Sequence, residues 1–204
     1  MPATVLTKFI ALPPQIERLS GSLWHGLATL DAGYTLAWDV SLGSLLLGRV
    51  TADVELSGAD TMLTGELSAS PWRVALRDAS GRAGPGLLAL APDLVVDGCT
   101  SRLVVSVPWL ALSRNAAAAE GTVTLDSGTC TVSDGAEIAL PAMLLALNTE
   151  GSDATADLTD AAAVPLARIV VAGDRRLILR LEPAGASLIP GLPTSGPLIL
   201  EYPF

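Results

Sequence analysis

Residues 46–57 read LLGRVTADVELS, and small or apolar side chains alternate there with polar ones. The even positions carry Leu46, Gly48, Val50, Ala52, Val54 and Leu56, and the odd positions carry Arg49, Thr51, Asp53, Glu55 and Ser57. A period of two is typical of a β-strand with one buried face and one solvent-exposed face. At ~3.3 Å per residue the pattern predicts a strand about 40 Å long, which implies a long, curved sheet.

The same alternation recurs at 63–70 and 72–77, and further strands are predicted elsewhere in the chain. Those further predicted strands are 18–30, 36–42, 87–96, 102–107, 121–125, 131–138, 155–158, 168–171, 177–181 and 198–202. Gly, Pro, Asp and Ser separate these segments, as they do in all-β proteins. Short helices are predicted at 113–120 and 141–147, and the acidic segment 150–160 is expected to be an exposed loop or edge.

Composition and charge exclude several classes of protein. Hydrophobic residues make up 50% of the 204 residues and charged residues 16%, which excludes an intrinsically disordered chain. The formal net charge is −9, and an acidic chain without a basic run lacks the phosphate contacts that nucleic-acid binding needs. We see no linker that divides the chain, so a single β domain over residues 1–204 is predicted.

The chain has no run of the ~18–20 apolar residues that a membrane-spanning helix requires. Two interpretations follow from that absence. The chain is either soluble as it stands, or a domain whose membrane anchor lies outside the sequence.

Catalytic motifs are missing from the sequence. His25 is the only histidine, which excludes paired-histidine zinc sites, and no G-x-S-x-G motif presents a nucleophilic serine. The only lysine, Lys8, is followed by Phe9, so there is no phosphate-binding loop. The carboxylates of 150–160 do not follow the order of a calcium loop. We therefore predict no enzyme activity, no catalytic residues, no cofactor and no metal site.

Two cysteines, Cys99 and Cys130, lie in Thr- and Ser-rich segments with turn signals. In an oxidising compartment they would form one disulfide, which the chain-entropy model credits with roughly 3–4 kcal/mol. In a reducing compartment they would instead be two buried thiols.

Four tryptophans lie in or beside predicted strands: Trp24, Trp38, Trp72 and Trp109. Such residues serve either to pack the core or to form an apolar surface for a partner. The sequence is compatible with both roles.

Several short motifs, taken in order, resemble the family of type II secretion system protein N. The most distinctive is GSLWHGLA at 21–28, similar to the family's G-T-L-W-x-G-x-A strand with Ser22 in place of the usual Thr. The others are LPP at 12–14, LAWDV at 36–40, LLGR at 46–49, LRLEP at 179–183, LIP at 188–190 and GPL at 196–198. The resemblance covers both ends of the chain well and the middle loosely.

The resemblance implies a fold of the AsmA and LptC type. That is an all-β domain with a long curved antiparallel sheet, arranged as a half-barrel, taco or sandwich, and few short helices. It also implies the periplasmic part of an inner-membrane protein, anchored through a helix that this chain lacks. The periplasm is oxidising, so the resemblance favours the disulfide between Cys99 and Cys130.

The function that the resemblance implies is a non-enzymatic accessory or scaffold role in type II protein secretion. The expected partners are other secretion components, namely the inner-membrane platform and the secretin. Unpaired sheet edges and apolar surface are where such partners would bind. The alternative is a periplasmic lipid-binding or lipid-transfer groove, because curled sheets of the AsmA and LptC type bury lipid chains in some cases.

Overall fold

The computed structural model of the chain describes residues 15–90, 96–132, 137–189 and 191–204. Sixteen strands are found in these ranges: β1 (Ile16–Gly21), β2 (His25–Leu30), β3 (Thr35–Ser41), β4 (Val50–Ser57), β5 (Met62–Ser70), β6 (Arg73–Ala83), β7 (Val96–Asp97), β8 (Leu103–Ser113), β9 (Ala117–Leu125), β10 (Gly128–Val132), β11 (Glu137–Leu140), β12 (Met143–Glu150), β13 (Asp153–Asp160), β14 (Pro165–Ala172), β15 (Arg176–Leu181) and β16 (Leu198–Pro203). The all-β prediction is confirmed.

Thirteen of these strands form one antiparallel sheet in the order β1-β2-β3-β4-β5-β6-β8-β9-β12-β13-β14-β15-β16. Each strand pairs with the next one along the chain except at two insertions, residues 84–102 and 126–142. The insertions supply a second, three-stranded sheet in the order β11-β10-β7. In the described residues β1 and β16 are the two edges of the large sheet, so it is open.

The registers of the large sheet separate an apolar face from a polar face. Ala52 lies opposite Leu67, which lies opposite Leu76, and the same row continues through Leu110 and Ala119. The adjacent row, on the other face, consists of Asp53, Glu66, Arg77, Trp109 and Glu120. Residues directly opposite each other share a face, so the alternation within β4 continues across the sheet.

Small side chains allow the sheet to curl. Ala117, Ala119 and Ala154 form a buried cluster, against which Leu110 and Val171 pack together with Leu147. Leu110 is in β8 and Val171 in β14, four strands away, which would be about 19 Å in a flat sheet. Alanine therefore fills the inside of the curl where a larger residue would hold the two walls apart.

A β-bulge contributes to the bending. The pairing of β8 with β9 shifts register between Ser106 and Trp109, opposite Gly121. Gly121 has a φ of +144°, and a Cβ there would lie 2.6 Å from the Ser106 carbonyl oxygen. Bulges increase local twist and bend the strand, so glycine is required at this position.

Two predicted strands were wrong at turns. The predicted strand 46–57 begins only at Val50, because Leu42–Leu47 is a 3-10 helix that ends at Gly48 with φ +71°. The predicted strand 18–30 is two strands, β1 and β2. Ser22 makes the break, since its hydroxyl oxygen accepts hydrogen bonds from the backbone N–H groups of Trp24 and His25.

Both predicted helices and the predicted acidic loop were also wrong. Residues 113–120 end β8 and begin β9, residues 141–147 run into β12, and residues 150–160 include all of β13, which is a central strand. The helices in the described ranges are short: α1 (Pro183–Ala186) and 3-10 helices at Asp31–Gly33, Leu42–Leu47 and Pro85–Leu90. Pairing with neighbouring strands on both sides overrides the local helix preference of an alanine run.

Two other predicted strands fall partly outside the described residues. Of 87–96, the first residues belong to the 3-10 helix Pro85–Leu90, and 91–95 are not described. Of 131–138, the ends belong to β10 and β11, and 133–136 are not described. In the described ranges, no helix is both long enough and apolar enough to cross a membrane.

Candidate interaction surface

The two ends of the large sheet differ in how its strands are connected. Both insertions and the α1 segment are at one end, which we call the insertion end. The connections at the opposite end, which we call the turn end, are residues 22–24, 42–49, 71–72, 114–116, 151–152 and 173–175. These connections are mostly tight turns, so the turn end carries little that could cover the apolar face.

Tyr34 organises a polar corner at the insertion end. Its side chain is 3% exposed, and its hydroxyl donates to Asp60 Oδ1 at 3.0 Å. Thr61 also donates to Asp60 Oδ1, and its hydroxyl oxygen accepts from the Gly84 N–H at 3.1 Å. The Gly86 N–H donates to Asp60 Oδ2 at 3.3 Å. These bonds connect the β4–β5 turn to the first insertion.

The corner perturbs both titratable groups in it. Burial raises the pKa of Tyr34, and the adjacent Asp60 carboxylate adds to that effect. Burial alone would raise the pKa of Asp60, but the hydrogen bonds from Gly86, Tyr34 and Thr61 lower it below the ordinary value of 3.8. Asp60 therefore stays ionised and holds the corner together through charge-assisted hydrogen bonds.

The disulfide between Cys99 and Cys130 links the two insertions to each other. Cys99 follows β7 in the first insertion, and Cys130 lies within β10 in the second. A cavity of about 310 Å³ lies beside the bond, lined mainly by aliphatic side chains such as Leu103, Leu125 and Leu140. Ser101 also lines it, and its buried hydroxyl has no hydrogen-bond partner among the described residues. The predicted disulfide is confirmed.

The apolar face is exposed at the turn end. Val50, Val74 and Leu112 are 42%, 50% and 36% exposed, and they belong to one cross-strand row. A concavity of about 310 Å³ opens there, and its lining includes both Leu67 and Val171. These two residues are six strands apart, about 29 Å in a flat sheet, so the concavity is the inside of the curl.

Two of the four tryptophans, Trp38 and Trp109, lie on opposite faces of the sheet. Trp38 shares the apolar face, where its ring covers Gly26: a Cβ on that glycine would lie 2.1 Å from the ring. Its Nε1–H donates to the Leu23 carbonyl at 3.2 Å. Trp109 lies on the polar face between Arg73 and Arg77, whose guanidinium carbons are 4.7 and 4.8 Å from the ring centre. Both tryptophans are partly buried.

The other two tryptophans are in turns at the turn end. Trp24 is 36% exposed in the β1–β2 turn, and Trp72 is 63% exposed in the β5–β6 turn. Arg114, from the neighbouring β8–β9 turn, lies 5.6 Å from the Trp72 ring centre. The four tryptophans therefore do not form one continuous patch, and Trp72 is the most exposed of them. The role of these residues in binding a partner stays a prediction.

The only histidine lies beside an exposed carboxylate. His25 Nδ1 is 2.9 Å from Asp39 Oδ2, and the two side chains are 68% and 64% exposed. The nearby Ser22 hydroxyl contacts the main chain of His25. A catalytic triad would need the serine on the imidazole, in a site sheltered from water. Among the described residues, no three His, Cys, Asp or Glu side chains lie close enough together to hold a metal ion.

The two edges of the large sheet differ in character. Edge strand β1 reads IERLSG and exposes Glu17, Arg18 and Ser20, whereas edge strand β16 reads LILEYP. In β16 the exposed fractions are 60% for Ile199, 48% for Leu200 and 57% for Tyr202. Charged side chains on an edge discourage pairing with other strands, so β16 is the less protected edge.

No curated protein and no solved structure matches this chain. Residues 14–180 match the family described as type II secretion system (T2SS), protein N. That range includes every strand from β1 to β14 and most of β15, so the match spans the large sheet except for β16 and the end of β15. The chain belongs to the family of type II secretion system protein N.

Proposed function

We propose that the chain is a non-enzymatic accessory or scaffold component of the type II secretion system that binds other secretion components. The observation that carries this proposal is the family match over residues 14–180, which covers almost the whole sheet. The partners we propose are the inner-membrane platform and the secretin, since these are the components that a protein at the periplasmic face of the inner membrane would meet.

The surface at the turn end supports a binding role. Val50, Val74 and Leu112 leave part of an apolar face in contact with water, and Trp72 stands beside them in a turn. Exposed apolar area of this kind is typical of protein interaction sites, and tryptophan and arginine are enriched at their centres. Arg114, stacked on Trp72, supplies the second of these residue types.

Two features support the absence of catalysis and the periplasmic location. The one histidine forms an exposed pair with Asp39, so it lacks the water-excluding pocket in which general acid–base groups usually act. The disulfide between Cys99 and Cys130 is of a kind that persists in the periplasm and is rare in the cytosol. Both features are compatible with a binding protein on the periplasmic face of the inner membrane.

Site-specific photo-crosslinking in cells that carry a type II secretion system tests the proposal. The full-length protein would receive a photo-reactive phenylalanine analogue at Trp72, and a control version would receive it at Ser106, an exposed residue on the polar face. We expect adducts with platform or secretin proteins at position 72 and not at 106. Adducts at neither position, or only with proteins outside the secretion system, would overturn the proposal.

One observation bears on the alternative of lipid binding. The concavity of about 310 Å³ at the turn end is lined by apolar residues such as Leu67, Leu110 and Val171, and an acyl chain would fit such a lining. Native mass spectrometry of gently extracted protein separates the two functions. Copurified phospholipid or lipopolysaccharide, lost on replacing Leu110 by a polar residue, would favour a lipid carrier, and a lipid-free protein favours the scaffold.

A further inference from the structure

Strand β16 exposes backbone hydrogen-bonding groups along one side. The Phe204 N–H donates to the Arg175 carbonyl at 3.0 Å, and the register places Leu200 opposite Leu179 and Tyr202 opposite Leu177. Backbone N–H directions alternate along a strand, so the even-numbered residues of β16 bond to β15. The odd-numbered residues, Ile199 and Glu201, point their N–H and C=O groups away from the sheet.

Two prolines limit the length of this free edge. Pro197 and Pro203 also occupy odd positions, and neither has an N–H to donate. The outward donors between them are therefore those of Ile199 and Glu201. In the part of the chain that the structure describes, no strand pairs with this side of β16.

We propose that β16 pairs with β16 of a second copy of this chain, antiparallel, with Leu200 on the two-fold axis. In that register Ile199 lies opposite Glu201 of the second copy, and both outward N–H groups of each copy find a carbonyl. Leu200 meets its own counterpart, and Leu198 meets Tyr202. The apolar faces of the two sheets would then be continuous across the dimer.

The alternative registers are worse for identifiable reasons. If Glu201 were on the two-fold axis, the Glu201 carboxylates of the two copies would lie directly opposite each other. Ile199 would then lie opposite Pro203 of the second copy, which has no N–H to donate. If Ile199 were on the two-fold axis, Glu201 would lie opposite Pro197 of the second copy. That register also lacks a backbone hydrogen bond, because Pro197 has no N–H. The central register also leaves Glu201 with its own ion pair, since Arg176 Nη1 lies 2.8 Å from Glu201 Oε1.

A second copy fits this edge better than pairing between β16 and β1. Edge strand β1 exposes Glu17 and Arg18, and its pairing with β2 shifts register between Ile16 and Arg18. Pairing of β16 with β1 would moreover leave one edge open on every added copy and grow a filament, whereas β16 with β16 closes after two copies. Pairing between two copies would stand whatever other protein the chain binds.

Cysteine crosslinking tests both the pairing and its register. Opposed residues at the two-fold position have Cα atoms about 4.5 Å apart, within the range that a disulfide bridges. Leu200→Cys is therefore expected to form a disulfide-linked dimer with its own copy on mild oxidation. Ile199→Cys and Glu201→Cys are each expected to stay uncrosslinked alone, yet to crosslink when the two proteins are mixed. The existing cysteines are already bonded to each other and do not compete.

Sedimentation of the unmodified chain gives the second readout. We expect a species of twice the monomer mass at high protein concentration, and its loss in Ile199→Pro, because that proline removes an outward N–H and leaves the bonds to β15 in place. Ile199→Val should keep the dimer. A monomer at millimolar concentration, or equal crosslinking by Leu200→Cys and Ile199→Cys alone, would overturn the pairing. Neither result would alter the crosslinking expected at Trp72, so failure of the dimer and failure of the proposed function are distinguishable.

Discussion

The two ends of the large sheet differ in the contacts that stabilise their loops and in the side chains that they expose. At the insertion end, Tyr34, Asp60 and Thr61 form a hydrogen-bonded corner, and the disulfide ties the two insertions together. At the turn end, tight turns leave Val74 half-exposed and Trp72 more exposed still. The hydrogen-bonded corner and the disulfide therefore lie where the loops are long, and the exposed apolar side chains lie where the loops are short. Exposed connections often carry function, and the contact surface that we propose lies at the turn end.

Removal of the disulfide should have the largest effect on the insertion end. The double variant Cys99→Ser/Cys130→Ser frees a loop of 31 residues and should lower the free energy of unfolding by roughly 3–4 kcal/mol. Urea unfolding, followed by circular dichroism, measures this loss. Adding reductant to the native protein should reproduce the loss, and adding it to the variant should do nothing. A loss below about 1 kcal/mol would mean that the insertions hold together without the bond.

The tyrosine corner should give the next largest effect. Tyr34→Phe removes the hydroxyl that donates to Asp60 and should cost about 1–2 kcal/mol of unfolding free energy, since hydrogen bonds to charged groups are among the stronger ones. Tyr202→Phe is the matched control, because Tyr202 is 57% exposed in edge strand β16. Equal effects of the two substitutions on the urea midpoint would show that the corner adds nothing.

Stability should fall at both extremes of pH, for separate reasons within the same corner. The pKa of Asp60 is lowered, so its contribution is complete above the ordinary value of 3.8 and is lost as the pH falls through the lower, folded-state value. The pKa of Tyr34 is raised, so its contribution is complete below 10.0 and is lost as the pH rises towards the higher, folded-state value.

Urea midpoints measured across the pH range check both limbs. Asp60→Asn should flatten the acid limb, and Tyr34→Phe should flatten the alkaline limb. If the loss of stability at low pH were unchanged in Asp60→Asn, it would arise from other carboxylates. Asp153 at the turn end is the first to examine, because the Gly173 N–H lowers its pKa as well.

The sequence predicted the strands best where one face of the sheet is exposed to solvent and the other face is buried. The alternation from Val50 to Leu56 survives in β4 because Asp53 and Glu55 face water. The strand prediction failed at Ala117 and Ala119, because they lie in a run of alanines in which apolar and polar residues do not alternate. Their role, filling the inside of the curl, depends on Ala154 and Val171, more than thirty residues away in the chain. No local pattern encodes that contact.

The candidate site was only partly predictable for the same reason. The sequence singled out Cys99 and Cys130 because their residue type is rare and reactive, and the bond between them is present. It named Trp72 but did not separate it from Trp38, because exposure depends on which turn or face each residue reaches. The corner around Tyr34 was missed. Its partners include the N–H groups of Gly84 and Gly86, and the sequence does not show that these glycines lie beside Thr61 and Asp60.

The smallest effect on stability is expected from a substitution of Trp72, at the turn end. Trp72 is 63% exposed, and its described aromatic contact is with Arg114 at 5.6 Å. An exposed cation–π pair contributes about 0.5–1 kcal/mol, so Trp72→Ser should change the free energy of unfolding by less than about 1 kcal/mol. Trp38→Ser should cost several times more, because it uncovers Gly26 and removes a hydrogen bond to Leu23.

The same two substitutions should have the opposite ranking in binding. If the turn end is the contact surface, replacing Trp72 by serine should remove a central anchor and weaken capture of secretion components at least tenfold, while the protein stays folded. Coimmunoprecipitation from membranes, with unfolding curves of the same preparations, measures both quantities together. A Trp72→Ser protein that unfolds early would mean that this residue holds the sheet together. One that binds normally would place the contact surface elsewhere on the sheet.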